Sequence, residues 1–158
     1  GEDPGRSDLT FILAGIGSFV EVKNGERGWT TRSKNPDKCW TQQQREWAKR
    51  KVFSPRPTTV WMWISVGTDN PNYSRVKYLP RRTWLVPFEK ALWVATTIEG
   101  NGQNTLPYKV MKGTRSFFRE RNLSCETVFD GYELEWRGNK LWSIPIEHPF
   151  RKMFDAEA

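Results

Sequence analysis

Residues Thr58 to Val66 read Thr-Thr-Val-Trp-Met-Trp-Ile-Ser-Val, a run with almost no polar side chain. β-Branched and aromatic residues dominate it, and these suit the pleated backbone of a strand. A half-exposed strand alternates apolar with polar residues; this one does not, so both of its faces need cover. Such a strand belongs inside a sheet with layers above and below, which predicts an α/β domain. The run is also far shorter than the roughly 20 apolar residues of a membrane span, so no membrane partner is expected.

The flanking sequence supplies the other elements. Leu9 to Leu13 and Ser18 to Lys23 are short apolar runs separated by Ala14-Gly15-Ile16-Gly17, the pattern of a β-hairpin with a glycine turn. Asn24 to Trp40 is polar and holds Gly25, Gly28 and Pro36, which predicts a loop. Thr41 and Gln44 have capping-box spacing ahead of a helix from about Gln42 to Val52, with Trp47 toward the core and Ser54-Pro55-Arg56-Pro57 as its stop. A turn is expected at Thr68 to Asn72 and an edge strand at Arg75 to Leu79. Pro87 then opens a helix reaching about Thr96, with Trp93 on its core face. Thr114 is placed to cap a basic helix ending at Arg121, and residues 126 to 146 alternate like two antiparallel strands around Arg137-Gly138-Asn139. The whole reads as one domain with a mixed β-sheet flanked by helices: hairpin, helix and strand over residues 1–67, then a β-rich elaboration over 68–158.

The formal net charge is +7 over 158 residues. A basic surface attracts polyanions, and contacts to phosphates release counterions. The cations lie in ordered-looking sequence, as at Lys49-Arg50-Lys51, Arg81-Arg82 and Arg115, Arg119, Arg121, so nucleic acid is the expected partner. There is one histidine, His148. Its place near the end of the chain, beside Pro149, argues against zinc fingers, zinc deaminases and Ser-His or Cys-His hydrolases, which use imidazole as ligand or base. The two cysteines, Cys39 and Cys125, have no metal-ligand spacing and read as reduced thiols. The first residues lack the basic and apolar regions of a signal peptide, so a cytoplasmic location is expected. Hydrolytic chemistry here would run on carboxylates, lysine and a metal.

One constellation provides those parts. Gly5-Arg6-Ser7-Asp8-Leu9 is followed by the glycine turn and then by Phe19-Val20-Glu21-Val22-Lys23. In a hairpin, Asp8 at the start of one strand and Glu21 near the end of the next can meet at the same end. Glu21 and Lys23 are two apart and therefore share a face of the strand. Two carboxylates with the carbonyl of Val22 make a hard oxygen site suited to Mg²⁺ (or Mn²⁺). Lys23 can then orient or help deprotonate the attacking water and neutralise charge developing on a phosphate.

This arrangement resembles the PD-(D/E)xK nuclease superfamily, whose pattern is an acid, a hairpin turn and Glu-x-Lys on the next strand. Asp8 stands at the acid position, Ser7 replaces the usual proline, and Glu21, Val22 and Lys23 fill Glu-x-Lys. Thr41, Gln44 and Trp47 are similar to the helix that follows Glu-x-Lys in the virus-type replication–repair nucleases and related resolvases. The second half is similar, more faintly, to small type II restriction enzymes in Arg81-Arg82-Thr83-Trp84, in Pro87 to Trp93 and in residues 106 to 111. The resemblance implies a restriction-endonuclease-like α/β fold and metal-dependent hydrolysis of DNA. Asp8, Glu21, Lys23 and Gln44 would be catalytic, with Asp8, Glu21 and Val22 on the metal. Paired cuts would imply a homodimer. The family core usually opens with a helix before the first acidic strand. Its place would be taken by a segment outside these residues, by a partner subunit, or by Glu2 or Asp3.

Nine tryptophans raise the prospect of base stacking. Trp29 and Trp40, in the expected loop beside the site, are the stacking candidates. Arg32, Lys34, Lys38, Arg45 and Lys49, on that loop and the following helix, are the expected phosphate contacts. The rival expectation is a nuclease-fold DNA-binding module that does not cut.

Overall fold

Strand β4 (Thr59–Val66) is covered on both faces, as its composition requires. It belongs to a computed structural model that describes residues 9–13, 16–25, 27–31, 59–70, 72, 79–137 and 141–152. Before it come β1 (Leu9–Leu13), β2 (Ile16–Gly25) and β3 (Gly28–Thr30); after it come β5 (Arg82–Pro87), α1 (Phe88–Gly100), β6 (Thr105–Pro107), α2 (Ser116–Arg121), α3 (Cys125–Val128), β7 (Glu135–Arg137) and β8 (Leu141–Ser143). Four strands form the main sheet in the order β1-β2-β4-β5. The β1–β2 and β4–β5 pairs are antiparallel and β2–β4 is parallel, so the sheet is mixed and the domain α/β.

The hairpin of β1 and β2 follows from the glycine-rich turn, with Leu9 opposite Val20 and Leu13 opposite Ile16. Parallel pairing of β2 with β4 needs a crossover, and residues between Gly25 and Thr59 make it. The helix expected over Gln42 to Val52 falls in that interval, outside the described residues. So does most of the edge strand expected at Arg75 to Leu79.

Alternation along β4 sorts its side chains between two cores. Met62, Ile64 and Val66 are solvent-free and pack with Trp84 and Val86 of β5 beneath α1. Trp61 faces the other way, against Leu85, Leu134 and Phe150. Helix α1 starts immediately after Pro87, whose φ of −55° suits a helix entry. It buries Phe88, Ala91, Val94, Ala95 and Ile98, a stripe at helical spacing that packs across β4 and β5. Burying Phe88, Val94 and Ile98 stabilises the fold by about 1.5–3 kcal/mol each. The helix extends beyond Thr96 to Gly100. Trp93, expected on the core face, is instead 62% exposed, because the buried stripe runs along the opposite side of the helix.

Three further expectations are corrected. The segment read as a loop from Asn24 contains β3, which pairs antiparallel with β6. Gly28 permits this pairing, since a Cβ there would stand 2.0 Å from the carbonyl oxygen of Leu106. Thr114 does not cap α2; the N-cap is Arg115, and the Thr114 hydroxyl accepts from the amide of Met111 instead. The two antiparallel strands expected over residues 126 to 146 are present about Arg137 as β7 and β8, but the stretch before them opens with a helical turn. Cys125–Val128 is a helical turn held by a capping box between Ser124 and Thr127, and only β7 and β8 make a hairpin.

Candidate functional site

Strand β2 lies between two partners. It pairs with β1 over residues 16 to 20 and with β4 over residues 18 to 25. Glu21, Val22 and Lys23 therefore follow the described pairing with β1, and β4 holds them in register. Leu9, opposite Val20, is bonded to Asp8 in the chain. Asp8 itself lies outside the described residues, as do Gln44, Arg32, Lys34, Lys38, Trp40, Arg45 and Lys49. Glu21 stands in register with Met62, and Lys23 with Ile64. Among the described residues no group of three His, Cys, Asp or Glu side chains converges on one point.

Trp29 is not available for stacking on a base. Its side chain is 1% exposed and packs against Phe129, with ring centroids 5.7 Å apart. Strand β3 turns the ring inward, where it joins the core beneath α1. The sequence pattern missed this because the partner of β3 lies 75 residues downstream.

His148 is a structural residue. It is 1% exposed, and its Nε2 lies 2.9 Å from the carbonyl oxygen of Tyr132. A carbonyl only accepts, so Nε2 carries the proton, leaving Nδ1 to accept from the amide of Phe150 at 3.0 Å. Burial lowers the tendency of this ring to charge, against the pull of the backbone carbonyl of Tyr132. With both nitrogens committed to backbone, the imidazole is not a candidate for acid–base work. The Cys125 thiol is likewise inert: complete burial pushes it up to about 12.

A charged cluster that the sequence pattern did not single out lies at the edge of β5. Arg82 holds Glu133 through Nε and Nη2, with the shortest contact 2.6 Å, and reaches Glu126 through Nη1 at 2.7 Å. Its guanidinium sits 4.9 Å from the centre of the Trp84 ring. Arg81 binds Asp69 and the Ser65 hydroxyl. The two arginines, with Glu133, Glu135, Trp136 and Pro145, line an open groove of about 550 Å³. The Glu133 carboxylate in it is spent on Arg82, which makes the cluster a clamp between β5 and the segment before β7. The adjacent pair Arg81-Arg82 was its only sequence signal.

Family models give no match to the chain, and neither curated proteins nor solved structures match it. None of the described helices is long and apolar enough to cross a membrane.

Proposed function

We propose that the protein is a divalent-metal-dependent DNA endonuclease of restriction-endonuclease-like architecture, with Asp8, Glu21 and Lys23 as its working residues. The observation that carries this reading is the register of β2: Leu9, to which Asp8 is bonded, stands opposite Val20, and Glu21, Val22 and Lys23 follow directly, held by β4. The mixed sheet, with a parallel strand following the Glu-x-Lys strand after a crossover, agrees with it.

The donor set suits a hard cation. The carboxylates of Asp8 and Glu21 and the carbonyl of Val22 are the oxygens that would hold Mg²⁺ or Mn²⁺. When bound, the ion supplies Lewis-acid activation of water and neutralises negative charge. Lys23 orients the attacking water and offsets charge that develops on the phosphate, and Gln44 supports the site. A net charge of +7 holds a polyanionic substrate near it. No step calls on imidazole, in keeping with the backbone-locked His148. Paired strand cuts would require a two-fold homodimer.

Cleavage of labelled DNA with Mg²⁺ or Mn²⁺ tests this. Activity should vanish in chelator and fall about a hundredfold or more in Glu21→Ala and Lys23→Ala. Undiminished cutting by the folded variants overturns the site. A second reading is a DNA-binding module without cleavage, which the net charge of +7 serves equally well. That reading predicts binding indifferent to metal and no cutting of linear, branched or single-stranded DNA.

A further inference from the structure

Strand β6 leads into the segment Lys109, Lys112, Arg115, Arg119 and Arg121, in which Glu120 is the one carboxylate. Lys112, Arg115, Arg119 and Arg121 are exposed, and so is Arg27. The fold brings Arg27 to the start of this segment, because its carbonyl accepts from the amide of Tyr108, beside Lys109, at 2.9 Å.

The arginines here are held by neutral groups. Arg115 reaches the amide oxygen of Gln103 at 3.3 Å, Arg119 the carbonyl of Thr114 and Arg121 the carbonyl of Phe117. Glu120 approaches Arg121 only at 4.0 Å. Each guanidinium has five N–H donors, so a single carbonyl bond orients it and leaves donors facing solvent. Among the described residues the surface therefore presents positioned positive charge, with Glu120 as the one carboxylate near it. By contrast, Arg82 and Arg81 elsewhere in the molecule are each matched to a carboxylate.

The scaffold beneath is rigid. Phe118 is buried in the main core and meets Phe117 edge-on at 5.1 Å, and Phe117 in turn underlies the Arg121 guanidinium at 4.2 Å. These rings are consumed by packing and form no open platform for unpaired bases, which disfavours a single strand. Arg115 and Arg119 are four residues apart and so lie on one side of the helical turn. The location also matters: Arg27 is four residues beyond Lys23, and the β3–β6 ladder fastens the basic segment to the end of β2.

We propose that Arg27, Lys112, Arg115, Arg119 and Arg121 form a surface that grips the phosphate backbone of duplex DNA without reading its sequence. It is distinct from the Arg32-to-Lys49 set expected from the sequence, and it stands on charge and geometry whether or not Glu21 and Lys23 cut.

The test is fluorescence anisotropy with a short labelled duplex in EDTA, across a series of salt concentrations. Chelator removes cleavage from the measurement, so failure of the nuclease reading and failure of this one remain separate. Replacing Lys112, Arg115 and Arg119 together by Ala should weaken binding at least about tenfold and reduce the slope of log K against log salt by about 2 to 3. Changing Arg115 and Arg119 to Lys should retain most of the slope, since the charge remains. An unchanged affinity and slope in the folded triple variant overturns the proposal. So does tighter binding of a single strand, or of an acidic peptide, than of the duplex. If the triple variant does not fold, the single charge reversal Arg119→Glu gives the same reading: weaker binding supports the surface, and equal binding refutes it.

Discussion

The carboxylate of Glu133 accepts from both Nε and Nη2 of Arg82, at 3.0 and 2.6 Å to one oxygen, while Glu126 meets the same guanidinium through Nη1 alone. The Glu133 pair is about two-thirds buried on each side, and Trp84 shields one face of it. A two-pronged, partly desolvated pair is stronger than an exposed single contact. Glu133→Ala should therefore cost about 1–2 kcal/mol in urea unfolding, and Glu126→Ala less than about 1 kcal/mol. Equal losses in the two variants would show that the groove clamp contributes nothing beyond a surface contact.

His148 makes stability depend on pH. In the unfolded chain it charges near its ordinary value of 6.5, whereas burial lowers that value in the fold. Between the two values the unfolded state binds the extra proton. The stabilisation from the neutral ring is thus complete above about pH 6.5 and is lost as pH falls through the folded value. Protonated Nδ1 would also face the amide hydrogen of Phe150, a clash of two donors. The unfolding free energy should decline by at most about 1.4 kcal/mol per pH unit from this group, and His148→Gln should flatten that part of the curve. A wild-type curve as flat as the variant's between pH 7 and 5 would dispose of the assignment.

Trp29 separates core packing from DNA contact. Because the ring is solvent-free among Phe129 and the residues beneath α1, Trp29→Ala should destabilise the protein by about 3–5 kcal/mol. Trp29→Phe should be milder and should leave the DNA affinity of the folded protein unchanged. Loss of affinity in a Trp29→Phe protein with native circular dichroism would return this residue to the interface.

Local sequence carries local structure, and the parts of this fold that depend on near neighbours were legible in it. The unbroken apolar run of β4, the glycine turn between β1 and β2, and Pro87 at the entry to α1 each state their conformation within a few residues. Trp93 was not legible, because helical spacing defines a stripe without naming the side that meets the sheet. The same holds for Thr114, whose hydroxyl finds a closer backbone partner in Met111 than in the helix it precedes.

The chain alone determined that this is a basic α/β domain with one strand sealed on both faces and a hairpin placing Glu21 and Lys23 on one strand. Tertiary structure decided the rest. It paired Gly28 with Pro107 and so drew Trp29 inside, clamped Arg82 to Glu133, and set Arg27 against Tyr108, at the start of the basic segment. The physical reason is distance along the chain. Turns, caps and strand propensity act over a few residues, whereas pairing and burial join segments whose mutual fit no local pattern records.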